Sequence, residues 1–301
     1  MANFLFAGLS GVVAWIRPPS NGTNDSPVEI TNLKALGSYN WVEDRTLTIA
    51  VPGRPPVWKE QHIPIHLKED LGTPFFDEGI ARKCGHALGP ALLAIEVCQA
   101  TDPNFKLSNE KIDIVSNRNN LRSLIDFANT GVSSSRTPYA RHFRIDAQLA
   151  PNGRTMVLTR YETKAPSRQK FIGFDHIFER TCTEELPTIR TTNSAGRNID
   201  LQPLGYYRIV RYDLLGMRFL VRSRVDSMKP ESKPNSTRDP DIDGLSKALG
   251  ETNLEPRSAT LGTLLQGEGT DVQHVDFGEF VPQDLLMDLK LSPRRDFNWC
   301  E

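Results

Sequence analysis

An α/β (α+β) domain with a mixed central β-sheet flanked by helices is the fold that this sequence predicts, on three observations. Two segments, 142–163 and 206–225, carry the alternation and turn residues of β-hairpins. Helical patterns lie before and between them, near 90–97, 121–127 and 172–182. Finally, 301 residues with 38% hydrophobic and 24% charged side chains suit one soluble domain with a sizeable core.

The elements follow in order. Ala2 to Ile16 is apolar, and the first charge is Arg17. No basic region or clear cleavage site marks a secretory signal, and fifteen residues are too few to span a bilayer comfortably. A buried or misassigned N-terminus is therefore expected, and no membrane partner. Residues 17–34, rich in Pro, Asn, Ser and Thr, read as part of a flexible segment over 1–35. A single domain then spans 36–301. Leu36 to Trp58 is β-rich, and the prolines within Val51-Pro52-Gly53-Arg54-Pro55-Pro56 predict an edge strand or loop.

Pro90 opens a helix through Val97, with proline in its first turn. Ile112–Val115 is a short strand, and Ser116 or Asn117 can cap a helix through Phe127. His142–Leu149 and Thr155–Thr163 form the first hairpin, turning at Asn152-Gly153. The second turns at Leu215-Gly216. Four prolines and many polar residues predict a disordered insertion at about 227–271. A strand is expected at Leu285–Lys290.

Charge narrows the function. Lys+Arg (36) and Asp+Glu (37) nearly cancel, so nucleic-acid binding requires a local patch. The 4 cysteines form no CxxC pair, which argues against structural zinc and reads as reduced thiols. No Walker loop, dinucleotide fingerprint or Gly-x-Ser-x-Gly elbow is present. Asp239–Gly244 imitates an EF-hand start, but Gly250 stands where a bidentate Glu is required.

Phosphodiester hydrolysis by metals needs carboxylates for divalent ions and a cation to orient water. On a strand, residues i and i+2 share a face, so acid-x-Lys sets ligand and cation side by side. Asp288-Leu289-Lys290 has this form, and Asp226 and Glu179 can supply further carboxylates. An ordinary surface ion pair is the other reading of such a triplet. Asp146 with Glu162-Thr163-Lys164 spells the same pattern on the first hairpin. Arg208, Arg211, Arg218, Arg222 and Arg224 crowd the second hairpin beside Tyr206, Tyr207 and Tyr212. This set suits either a phosphate-tracking groove or a solvated strand face.

In order, Ile112–Arg118, Gly173-Phe174-Asp175-His176-Ile177-Phe178-Glu179, Ile209–Asp226 and Leu286–Lys290 resemble the motifs of the DXO-type RNA decapping nucleases, over about 36–292. The chain also resembles a poorly characterised filamentous-fungal group. The resemblance implies a PD-(D/E)XK nuclease-like core that binds Mg2+ or Mn2+ and acts on RNA 5′ ends by decapping or 5′→3′ degradation. By position, Glu179, Asp226 and Asp288 would be metal ligands and Lys290 the water-orienting cation. Arg118 would meet the RNA 5′ end; Arg211 and Arg222, from the basic hairpin, are the further substrate-binding candidates. Some relatives partner a 5′→3′ exonuclease, and the location implied is nuclear or cytoplasmic.

Three departures stand out. Arg224 occupies the place of a metal-binding Glu, Gly173 to Glu179 is two residues longer than the family motif, and the chain ends soon after Lys290. At ~4 Å and an effective dielectric of about 20, a charge and a divalent ion interact by roughly 8 kcal/mol, and Arg for Glu reverses its sign. Arg224 can swing away, or take the metal's place and pair with Asp226 or Asp288. The second outcome predicts a catalytically inactive RNA-binding or partner-binding module.

Overall fold

A computed structural model describes residues 8–18, 27–43, 47–62, 64–70, 86–129, 143–161, 173–192, 196–230 and 272–291. Strands β1 (Thr31–Glu43) and β2 (Thr48–Gly53) precede helix α1 (Gly89–Cys98), β3 (Ile114–Asn117) and helix α2 (Arg118–Asn129). The first hairpin is β4 (Ile145–Leu149) and β5 (Met156–Arg160), followed by helix α3 (Asp175–Cys182). Then come β6 (Ile189–Thr192), β7 (Asn198–Leu214), β8 (Met217–Val225), β9 (Ser227–Met228), β10 (Gln273–Gly278) and β11 (Leu286–Met287).

The main sheet runs β10-β2-β1-β7-β8-β3-β5-β4, with β6 pairing the start of β7. Pairs β10–β2, β3–β5 and β3–β8 are parallel and the rest of the sheet is antiparallel. The fold is thus the mixed α/β architecture expected. The β7–β8 turn has Leu215 at φ 51° and Gly216 at φ 76°, the doubly positive geometry that matches the twist of a two-residue hairpin.

Helices cover both faces. All of Gly89–Ile95 is buried, so α1 is apolar around its circumference and packs inside rather than on the surface. It rides directly on β1: a Cβ on Gly37 would lie 3.1 Å from the backbone N and Cα of Ile95. Leu36, Tyr39, Trp41, Ile49, Leu92, Ile95, Ile209 and Leu220 form the core there. Helix α2 lies on the opposite face, where Asn120 Nδ2 donates to Leu158 O at 3.0 Å and to Ser116 Oγ at 3.3 Å. The register fixes this arrangement. Gly37 lies opposite Ile209, whereas Ser116 pairs with Val221 and so with Val210, one residue along β7.

Five expectations need correction. Pro52 is not on an edge, because β2 lies between β1 and β10. Its neighbour on β10 is Phe277, and the β1 ladder ends at Asn40↔Ala50, two residues earlier. The apolar N-terminus is not buried: within 8–18, Val13 is 99% and Trp15 86% exposed. β1 begins at Thr31, inside the segment expected to be flexible, and Ser227–Met228, where the insertion was expected to begin, is strand. Leu285–Lys290 is not one strand, since β11 holds two residues and pairs β9 outside the main sheet. The EF-hand-like stretch, His142 and Glu162–Lys164 lie outside the described residues. Among the described residues, no helix is long and apolar enough to cross a membrane.

At the end of the sheet where β3 begins, charges are tied together. Asp113 accepts the Arg218 backbone N–H at 2.8 Å and pairs with Arg154 at 2.8 Å. Arg218 pairs with Asp213 at 2.8 Å, and Arg211 with Glu110 at 2.6 Å. The hydrogen bonds from Arg218 and Asn32 hold the Asp213 carboxyl down to about 2. The Arg218 N–H and the Arg154 side chain lower that of Asp113. Both groups are depressed on folding, so their stabilisation is present above the unfolded value of about 3.9 and is lost as pH falls toward about 2. Thermal melting between pH 5 and 2 should therefore show a slope that Asp213→Asn reduces; an unchanged slope in this variant refutes the assignment.

Candidate functional site

Residues from four separated segments meet where the parallel strands β3 and β8 end. This is the edge at which α/β sheets place ligands, because the strand ends and following turns are free there. β3 passes into α2 with no intervening loop, so Arg118 stands immediately beyond Asn117, which pairs with Arg222. Arg224 and Asp226 follow along β8 at period two and so take one face. β9 pairs β11 through Met228↔Leu286 and Ser227↔Met287, which delivers Asp288 and Lys290.

Helix α3 brings Glu179, and its placement depends on a residue far away in the chain. Asp70 Oδ2 accepts the N–H of His176 at 2.9 Å and Oδ1 that of Ile177 at 2.8 Å. Asp70 N–H in turn donates to Gly173 O at 2.8 Å. Asp70 is 3% exposed, and its side-chain oxygens meet the positive end of the helix dipole and take up two of its otherwise unpaired N–H groups. The other end of α3 is held by Lys59 N–H to Cys182 O at 2.8 Å, and Trp58 packs edge-on to Phe178.

The resulting cluster is paired acid to cation. Arg224 Nη2 bonds Glu179 Oε2 at 2.7 Å, with the side chains 39% and 20% exposed. Arg118 Nη1 bonds Asp288 Oδ2 at 2.7 Å, with 51% and 34% exposed. Asp226 Oδ2 accepts the Leu289 N–H at 2.9 Å. Burial pushes the Glu179 carboxyl above its ordinary range; Arg224 opposes the rise and the nearby charge of Asp226 adds to it. Lys290 is exposed, next in the chain to Leu289.

Glu179 and Asp226 interact electrostatically, and Asp226 accepts the N–H of Leu289, the neighbour of Asp288, but the three acids do not form an open ligand set. Arg224 pairs with Glu179, not with Asp226 or Asp288 as the sequence suggested. A divalent ion needs several oxygens at about 2.0–2.6 Å. Here Glu179 and Asp288 each offer an oxygen to a guanidinium instead, and no group of three His, Cys, Asp or Glu among the described residues is arranged to hold a metal ion. This arrangement does not fit Mg2+ or Mn2+.

The arginine-rich hairpin is also not an open groove. Arg222 is 8% exposed; its Nη1 donates to Tyr39 OH at 3.1 Å and its guanidinium lies 4.9 Å from the centre of the Tyr207 ring. Arg211 is tied to Glu110 and donates to Asn32 O at 3.1 Å. Arg208 is 1% exposed. Strand parity placed Arg218, Arg222 and Arg224 on one face; it could not reveal that much of this face is interior. In the alternative constellation, Asp146 pairs with Arg144 at 2.6 Å. Sequence reasoning missed Asp70, which has no local signature because its helix lies about a hundred residues on.

Fold and site together define a mixed α/β protein with a carboxylate–arginine cluster at its strand ends. The chain belongs to the DUF8563 family, described as a domain of unknown function, whose model matches residues 12–268. No curated protein matches it. It is similar to the solved structure of S. pombe Rai1 (13% identity, 68% of this chain, 55% of that chain, TM-score 0.33). It is also similar to a mutant S. pombe Rai1 in complex with 3′-FADP (12%, 69% and 57%, 0.33). A third is Scheffersomyces stipitis Rai1 in complex with (3′-NADP)+ and a calcium ion (10%, 70% and 56%, 0.32). The chain thus spans little more than half the length of these proteins.

Replacing Asp70 with Ala removes two acceptors from the start of α3. It should lower stability by about 1 kcal/mol or somewhat more, with Asp70→Asn recovering part. Urea unfolding measures both, and a silent Asp70→Ala overturns the role given to this side chain.

Proposed function

We propose that this chain binds the phosphorylated 5′ end of RNA at the Arg118–Asp288 and Arg224–Glu179 cluster without hydrolysing it, as an inactive relative of the DXO-type decapping nucleases. The observation that carries this reading is the 2.7 Å Arg224–Glu179 pair, which sets a fixed positive charge where a divalent ion would need a free carboxylate. The order of the four sequence motifs supports the family likeness.

Phosphate can enter because the more exposed pair, Arg118–Asp288, is weak. Half-exposed ion pairs contribute about 0.2–1 kcal/mol. Charge-assisted hydrogen bonds contribute about 1.5–3 kcal/mol, and the guanidinium fork matches two phosphate oxygens. Arg118, 51% exposed, can therefore exchange Asp288 for a 5′ phosphate. Lys290 adds a point charge from the same segment. Metal-dependent hydrolysis is the second reading. It is favoured by the electrostatic contact of Glu179 with Asp226, which leaves two acids together once Arg224 turns away.

Protonation tunes the cluster. Burial holds the Glu179 proton above its ordinary range, and protonation weakens the pair with Arg224. Arg224 then adds its charge to the site.

Binding of 5′-monophosphate and 5′-hydroxyl RNA by the purified protein tests the reading. The phosphorylated oligomer should bind more tightly, and Arg118→Ala should weaken it about tenfold or more. Mn2+-dependent cleavage should be absent. Cleavage by the native chain that disappears in Asp288→Ala would establish the hydrolase instead.

A further inference from the structure

The strand β4 (Ile145–Leu149) stands last in the sheet order, and among the described residues no strand pairs its outer side. Which of its backbone groups face outward follows from the bonds at its two ends. Arg144 O accepts the Tyr161 N–H at 3.0 Å, and Ala150 N–H donates to Thr155 O at 2.8 Å. The register between these bonds is unbroken, with Ile145↔Arg160, Ala147↔Leu158 and Leu149↔Met156. Asp146 and Gln148 therefore form hydrogen-bonded pairs with β5, and the N–H and C=O groups of Ile145, Ala147 and Leu149 point away from the sheet.

An edge of this kind templates pairing with another chain unless some device prevents it. The usual devices are missing here: β4 holds no Lys or Pro, and its register with β5 contains no bulge. Its one charge, Asp146, is held by Arg144 through bonds of 2.6 and 3.3 Å. The flank is apolar and uncovered, Leu149 being 55% and its partner Met156 45% exposed. Met156 pairs with Ile114, two residues before Ser116, so both side chains lie on the face that carries α2. On that helix Leu124 is 40% and Ile125 59% exposed.

The sequence of the edge selects its occupant. A second copy running antiparallel about Ala147 sets Ala147 opposite itself and Ile145 opposite the partner's Leu149. Every outward N–H then meets an outward C=O, and apolar side chains face one another. Asp146 lies opposite the partner's Gln148, in a pair without backbone bonds, where side chains are nearest and the Gln amide can donate to the carboxylate. Registers shifted by two residues are worse. One sets Asp146 against its own copy, and the other leaves Ile145 without a partner.

We infer that this protein forms a weak two-fold dimer in which the β4 strands of two copies pair antiparallel about Ala147. The axis is perpendicular to the sheet, so the two sheets join into one that carries both α2 helices on the same side. The copies run in opposite directions, which puts the two carboxylate–arginine clusters at opposite ends of the joined sheet. The inference rests on the β4 edge and does not require that the cluster bind RNA.

Analytical ultracentrifugation of the full chain tests it. An interface of one strand pair is small, so a monomer–dimer equilibrium with Kd on the order of 100 µM is expected. Ala147→Pro removes an outward N–H that β5 does not use. It should leave melting nearly unchanged and weaken dimerisation at least about tenfold. Substitutions at Gln148 read the register. Gln148→Lys sets a cation opposite the partner's Asp146 and should tighten the dimer about threefold or more, whereas Gln148→Asp should loosen it by a similar factor. In hydrogen exchange, the amides of Ile145, Ala147 and Leu149 should gain protection as concentration rises, and those of Asp146 and Gln148 should not change. Val13→Lys, in the exposed apolar N-terminal stretch, should have no effect. A chain that stays monomeric up to about 1 mM overturns the inference. So does a dimer that survives Ala147→Pro or that Gln148→Lys loosens, and so does one that Val13→Lys dissolves, because the N-terminal stretch is then the interface.

Discussion

The hydrogen-bonded ladder of β7 holds the molecule together. Over 17 residues this strand pairs with β6 at its start and with β1 and β8 along most of its length. Backbone groups buried in a sheet must find partners, so this long strand fixes the register of its neighbours. Register in turn fixes which side chains meet. Tyr207 lies opposite both Tyr39 and Arg224, and Arg208 opposite Ser38 and Ser223. A slip of one residue would exchange the two faces and bury the wrong set.

This constraint explains how so many arginines are accommodated near the centre of a sheet. A guanidinium is flat and more weakly hydrated than an ammonium, so aromatic faces can replace part of its water. Arg222 lies on Tyr207, which stacks on Tyr39 with ring centres 5.2 Å apart. Arg208 lies against Phe280 on the other face. The arginines nearer the hairpin turn meet carboxylates instead, Arg211 with Glu110 and Arg218 with Asp213. Toward the end of β8, Arg224, itself 39% exposed, reaches Glu179. The chemistry open to solvent gathers there.

Local signals made much of this architecture legible. The alternation on either side of Asn152-Gly153 and Leu215-Gly216 marked both hairpins, because turn geometry and side-chain period are short-range properties. Pro90 marked the start of α1, since its fixed φ suits a first helical turn. The site was legible only as a set of residue types. Glu179, Asp226 and Asp288 were picked out as carboxylates, but their partners were not. Asp288 looked like part of a strand because Leu285–Leu289 is mostly apolar. The pairing that ends after Met287 involves β9, about sixty residues earlier, and no pattern in the sequence encodes that contact.

Residue chemistry alone settled that this chain makes hairpins and helices, that its charge is balanced, and that Arg224 precedes Asp226 at period two. Those properties depend on neighbours within a few positions. Packing decided what the charges do. Long-range pairing placed β3 beside β8, set Asp70 at the start of α3, and brought Arg224 to 2.7 Å from Glu179. It also turned Arg208 and Arg222 inward, where desolvation and aromatic contact govern them. Ion pairing and burial are properties of distance in space, and distance along the chain does not specify them.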